Sequence, residues 1–164
     1  AGYSPLESAT GLFWINFIVL IGFFIWGYFL PKIPKYGLNS FKLMKFGIPI
    51  SYLVLLSIVI LGSKVGVFLL TVYILTSIVL SLSQPAVALS FPKHLAGKSL
   101  TSFNLIIFLG TFVTQWGIGL IIDLSQSFGK SEIASFQISF FVYLLCCIIS
   151  YLYFILKNKN LVNE

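Results

Sequence analysis

Five long apolar stretches, divided by short segments that hold nearly all the charge, dominate this sequence. They run from Gly11 to Leu30, Leu43 to Leu61, Gly66 to Phe91, Leu100 to Ile122 and Ile133 to Leu156. A helix needs roughly 20 apolar residues to cross about 30 Å of hydrocarbon. Each stretch is continuously apolar rather than alternating, and a helix satisfies its own backbone in lipid. Four meet the length outright. The second has its uninterrupted run only from Phe46 to Leu61 and draws on Leu43 and Met44 as well. Only 9% of residues are charged, against about 25% in soluble domains. The expected fold is an all-α membrane protein with five transmembrane helices.

The positive charge is all lysine and is dealt to alternate ends of the stretches. Lys32, Lys35, Lys42 and Lys45 follow the first, Lys93 and Lys98 the third, and Lys157 and Lys159 the fifth. The other two connections hold one each, Lys64 and Lys130, and Glu7, Asp123 and Glu132 share that lysine-poor side. Cytoplasmic loops are the ones that keep lysine. The N-terminus is therefore expected outside and the C-terminus in the cytoplasm, with residues 1–10 an external lead-in, 11–157 the bundle and 158–164 a tail. The net charge of +6 lies on one membrane face and has no nucleic-acid motif beside it. Its expected partners are the lipid bilayer and anionic head groups, not nucleic acid. Residue 1 is alanine, and an odd helix count with an outside N-terminus suggests the C-terminal piece of something longer.

Turn chemistry marks the breaks. Pro31, Pro34, Gly37 and Asn39 close the first helix, and Gly62-Ser63-Lys64-Val65-Gly66 forms a tight turn making the second and third helices antiparallel neighbours. Polar side chains in a bilayer face a bundle interior or a wet cavity. The first, third and fourth helices carry them. The second reads as lipid-facing, and with the fifth it is expected on the outside. On the fourth helix Asn104, Thr111 and Gln115 fall within a stripe roughly 40° wide. The third offers Tyr73, Ser77 and Gln84, the last directly before Pro85, which should kink the helix and expose a carbonyl near Ser81. Asn16 is the strongly polar group of the first. The substrate-lining candidates are thus Asn16, Tyr73, Gln84, Asn104, Thr111 and Gln115; the other reading is that they hydrogen-bond neighbouring helices. Gly110, Gly117 and Gly119 are expected to allow close helix approach. Trp14 and Trp26 are expected in the outer and inner interface belts.

Three segments resemble the major facilitator superfamily, helices eight to twelve. Gly2-Tyr3-Ser4-Pro5-Leu6-Glu7-Ser8-Ala9 resembles the external lead-in to the eighth helix. Gly27-Tyr28-Phe29-Leu30-Pro31-Lys32-Ile33-Pro34-Lys35 resembles the second copy of the signature loop. Gly27, Lys32 and Lys35 match it; Pro31 stands where the acid would be and Pro34 where the second glycine would be. Phe91 to Leu100, then Asn104, Gly110, Gln115, Gly117, Gly119 and Asp123, resemble the inner loop and eleventh helix. The resemblance implies a partial C-terminal bundle of a secondary transporter. It would move a small-molecule substrate by alternating access with a missing N-terminal half, its eighth, tenth and eleventh helices facing the cavity. The implied location is the cell membrane, multi-pass, as in a bacterial inner membrane.

Other classes fare worse. A membrane enzyme needs a base, a nucleophile or a metal in a concave site. One loop histidine, His94, and four peripheral acids assemble none, so no catalytic residue, metal or cofactor is expected. Adjacent Cys146 and Cys147 read as small packing residues. No ionisable group lies mid-span to couple a proton. The alternative to a transporter is a non-transporting helix bundle, a truncated product or accessory subunit.

Overall fold

The computed structural model describes residues 4–30, 32 and 39–158. Its elements are α1 (Pro5–Phe29), α2 (Ser40–Leu61), α3 (Val67–Ser77), α4 (Ser83–Leu89), α5 (Ala96–Ser127) and α6 (Glu132–Lys157). Short 3₁₀ segments lie at Gly62–Lys64, Ile78–Leu82 and Lys93–Leu95. Among the described residues five helical segments are long and apolar enough to cross a membrane, α3 and α4 together making the third. The chain is an all-α membrane protein.

Three helices begin where a side chain supplies an acceptor to the first turn. Ser4 caps α1 in a reciprocal box: the Glu7 N–H donates to Ser4 Oγ at 3.3 Å and the Ser4 N–H donates to Glu7 Oε2 at 2.8 Å. The first helix therefore starts inside the expected lead-in. Asn39 caps α2 through the Lys42 N–H at 2.7 Å, and Ser131 caps α6 through the Ala134 N–H at 3.3 Å.

The second helix is the hub of the bundle, which corrects its reading as lipid-facing. It packs on α3, α4 and α6. Met44, Ile48, Ser51, Leu55 and Val59 are buried along it in steps of four, three, four and four, the seam of a helix covered on one face. Gly47 lets the third span come close. A Cβ there would lie 2.8, 3.1 and 3.2 Å from three atoms of Val79. Met44, Ile48, Val79 and Leu82 form the core, with Trp26, Tyr151 and Phe154 packed around it. Trp26 is half-buried, and its Nε1 has no hydrogen-bond partner among the described residues.

The third span breaks at the expected proline. Pro85 has no N–H for the Ser81 carbonyl, and the preceding turn tightens into the 3₁₀ segment Ile78–Leu82. Leu82, at its end, is fully buried.

α1 and α5 are the uncovered helices. α1 lies on α3, and α5 touches α4 and α6. Each has a single buried residue, Ile15 and Ser125.

Candidate functional site

The polar groups of the spans divide into two sets. The first ties α2 to α6. Pro49 stands inside α2 and cannot donate to the carbonyl of Lys45, four residues before it. The Tyr151 hydroxyl of α6 donates to that carbonyl instead, at 2.6 Å. At mid-span the Tyr52 hydroxyl donates to the Cys147 carbonyl at 3.0 Å, and its ring meets Tyr151 edge-on at 6.0 Å. At the far end α2 stops at Gly62, whose φ of 53° and ψ of −117° suit glycine. The last helical carbonyls need other donors there, and Gln137 Nε2 reaches the Val59 carbonyl at 2.7 Å. These residues were not foreseen. The signal was Pro49: a proline deep in a span frees a carbonyl, and a facing helix must carry its donor.

The second set holds most of the candidates. Gln84, Asn104, Thr111, Gln115 and Asn16 are all exposed. Asn16 Nδ2 donates to its own helix at Leu12 O, 2.7 Å, and Thr111 Oγ1 to Ile107 O, 2.9 Å. Gln84, Asn104 and Gln115 make no hydrogen bond with any described residue. The half-buried sixth candidate, Tyr73 of α3, belongs to neither set's exposed face and instead meets Tyr143 of α6 and its own neighbour Ser77.

α5 is covered mainly on one side. Phe103, Thr114, Ile118, Ile121 and Ser125 mark that side at helical spacing, with Gly119 and Ile122 half-buried further round, whereas the exposed Asn104, Thr111 and Gln115 stripe lies about 70° from its centre. The glycines do not bring a neighbour close. Nothing lies within 4 Å of a Cβ at Gly110, Gly117 or Gly119, so the close approach expected there is made by no described residue. Trp116 is 61% exposed.

Of the loop motif, Gly27 is exposed and Lys32 lays its Nζ 3.4 Å from the Tyr28 ring centre. Lys35 lies outside the described residues. Among the cavities that indent the described residues, four of about 370 to 680 Å³ are lined by none of the six candidates. No three His, Cys, Asp or Glu side chains among the described residues come together to hold a metal. Comparison with protein-family models, curated proteins and solved structures found no match.

Proposed function

We propose that the chain is the C-terminal part of a secondary transporter of the major facilitator type, moving a small solute by alternating access. In this reading α1, α3 with α4, and α5 face an N-terminal half, and the lysine-rich end lies in the cytoplasm. The protein is multi-pass in the cell membrane, of the bacterial inner-membrane kind, and is not an enzyme.

The observation that carries this is the state of three amides. Gln84, Asn104 and Gln115 are exposed and unpaired among the described residues. Taking Thr111 as the middle of its span, Asn104 lies about 10 Å and Gln115 about 6 Å along the helix from it, within the half-thickness of the hydrocarbon. Leaving an amide unpaired in an apolar medium costs about 2–7 kcal/mol. Three such groups do not belong against lipid tails; they suit a wet cavity or a second protein surface.

The alternative, a non-transporting bundle, draws on one fact: none of the six candidates lines any of these four cavities. Cysteine labelling decides. With Cys146 and Cys147 replaced, single cysteines at Gln84, Asn104 and Gln115 should react with a membrane-impermeant thiol reagent in the full protein. Their reactivity should change when substrate is added. Silence at all three positions in every transport state sinks the proposal.

A further inference from the structure

A groove of about 440 Å³ runs between α2, α4 and α6 at the lysine-rich end. Buried Met44 and Ile48 line it, and Phe41 stacks on Phe154 at 6.1 Å with rings 8° from parallel. Along α2 it extends from Phe41 to Tyr52. Eleven steps at 1.5 Å each make about 16 Å, close to half of a hydrocarbon core of about 30 Å. The trough therefore has the depth of one leaflet.

Its two ends differ in chemistry. At the deep end the hydroxyls of Tyr52 and Tyr151 are committed to backbone carbonyls, so ring faces and aliphatic groups remain. At the shallow end Asn158 lines the groove and Lys157 is exposed beside it. Lys157 follows Ser150, another lining residue, by seven positions. It sits on the same face of α6, two turns nearer the surface. The Ser150 hydroxyl makes no hydrogen bond with a described residue. On α2, Lys42 follows the lining residue Phe41 in sequence, whereas Lys45 lies over the Phe46 ring at 5.6 Å, beside a different cavity. Among the described residues no acid lines the groove. The result is an apolar trough one leaflet long, open at a cationic rim.

We propose that this groove binds one anionic phospholipid, with an acyl chain along Met44 and Ile48 and the phosphate at Lys157. A zwitterionic lipid would bring a cation of its own to the same rim and gain less. The site depends on membrane insertion and not on transport, so it stands even where the transporter reading fails.

The test uses the full protein in phosphatidylcholine nanodiscs. A trace of phosphatidylglycerol with a photoactivatable group at the end of one acyl chain is added, and adducts are mapped by mass spectrometry. A phosphatidylcholine probe with the same chain is the comparison. Phosphatidylglycerol adducts should concentrate on Ile48 and Tyr52 and exceed those of the choline probe there. Lys157→Gln should lower that excess about fivefold, the factor equivalent to about 1 kcal/mol per lysine near a charged surface. Lys157→Arg should keep it, and free inorganic phosphate should not compete. Equal labelling by both lipids, adducts spread evenly over the exposed faces of α1 and α5, or an unchanged preference in Lys157→Gln would each overturn the site.

Discussion

Tyr151→Phe should destabilise the bundle well beyond what one interhelical hydrogen bond ordinarily contributes. Such bonds average about 0.6 kcal/mol in membrane proteins and reach about 1.7. The modest mean reflects an unfolded state in the membrane whose polar groups also find partners. The Lys45 carbonyl lacks its usual helical donor, because Pro49 occupies the position four residues on that would donate to it. Leaving a buried acceptor unsatisfied costs about 1–3 kcal/mol, and we expect about 1.5 kcal/mol here. Tyr52→Phe is the internal control. It removes a bond of similar geometry, but the Cys147 carbonyl lies inside α6 and retains its helical partner. Its cost should be about 0.6 kcal/mol.

The cause can be isolated with a second substitution. Pro49→Ala restores an N–H four residues after Lys45. In that background Tyr151→Phe should cost only about 0.6 kcal/mol, so the double-mutant cycle should show a coupling near 1 kcal/mol. Reversible unfolding in mixed micelles, titrated with a denaturing detergent, gives the energies. Trp26, packed beside the core, provides a fluorescence signal for that region. Equal losses for the two tyrosines, or an additive cycle with Pro49→Ala, would refute the account of Pro49 and its substitute donor.

Three further outcomes follow from close contacts. Gly47→Ala should destabilise by about 1–3 kcal/mol through overpacking against Val79, despite a helix-propensity gain of about 1 kcal/mol; Gly47→Ala with Val79→Ala should recover most of the loss in the same titration. Gly62→Ala should cost about 1–3 kcal/mol, because its φ is 53° and its Cβ would lie 2.8 Å from Gln137 Nε2; a thermal melt no lower than that of the parent protein would contradict this. Gly110→Leu should leave the melt unchanged, since nothing lies within 4 Å of that position, and under the proposed transport function it should abolish solute uptake; full uptake would remove α5 from the proposed moving interface.

The spans were legible because crossing hydrocarbon sets a length and forbids charge, and both can be read residue by residue. Which face each helix buries was not. Leu55 is buried and Leu53, two residues earlier, is 65% exposed, yet nothing in their chemistry separates them. In water the exposed position would have turned polar; in lipid both neighbours are apolar and the contrast vanishes. That is why α2, poor in polar residues, read as peripheral and is the hub. The break near Pro85 was legible because proline acts through its own backbone. Pro49 acts the same way, but its consequence, a donor on Tyr151, lies 102 positions away in the chain.

The polar side chains sort by what they answer. Two of the α2–α6 ties meet backbone carbonyls left without their usual donor, one by Pro49 and one by the end of α2 at Gly62. A donor with a local defect to repair has a structural reason to be there. Asn104 and Gln115 have no such defect beside them: they lie within an unbroken helix, exposed and about 70° round from the side α5 packs. Gln84 precedes a proline, but its amide reaches no freed carbonyl among the described residues. Structural need within this bundle therefore explains Tyr151 and Gln137, and does not explain Gln84, Asn104 or Gln115. Replacing the three amides by Leu should separate the two sets. The folded bundle should keep or gain stability in the detergent titration, while solute uptake by the complete protein should fall. A loss of stability matching that of Tyr151→Phe would place these amides among the structural ties and remove the main support for a transport path along α5.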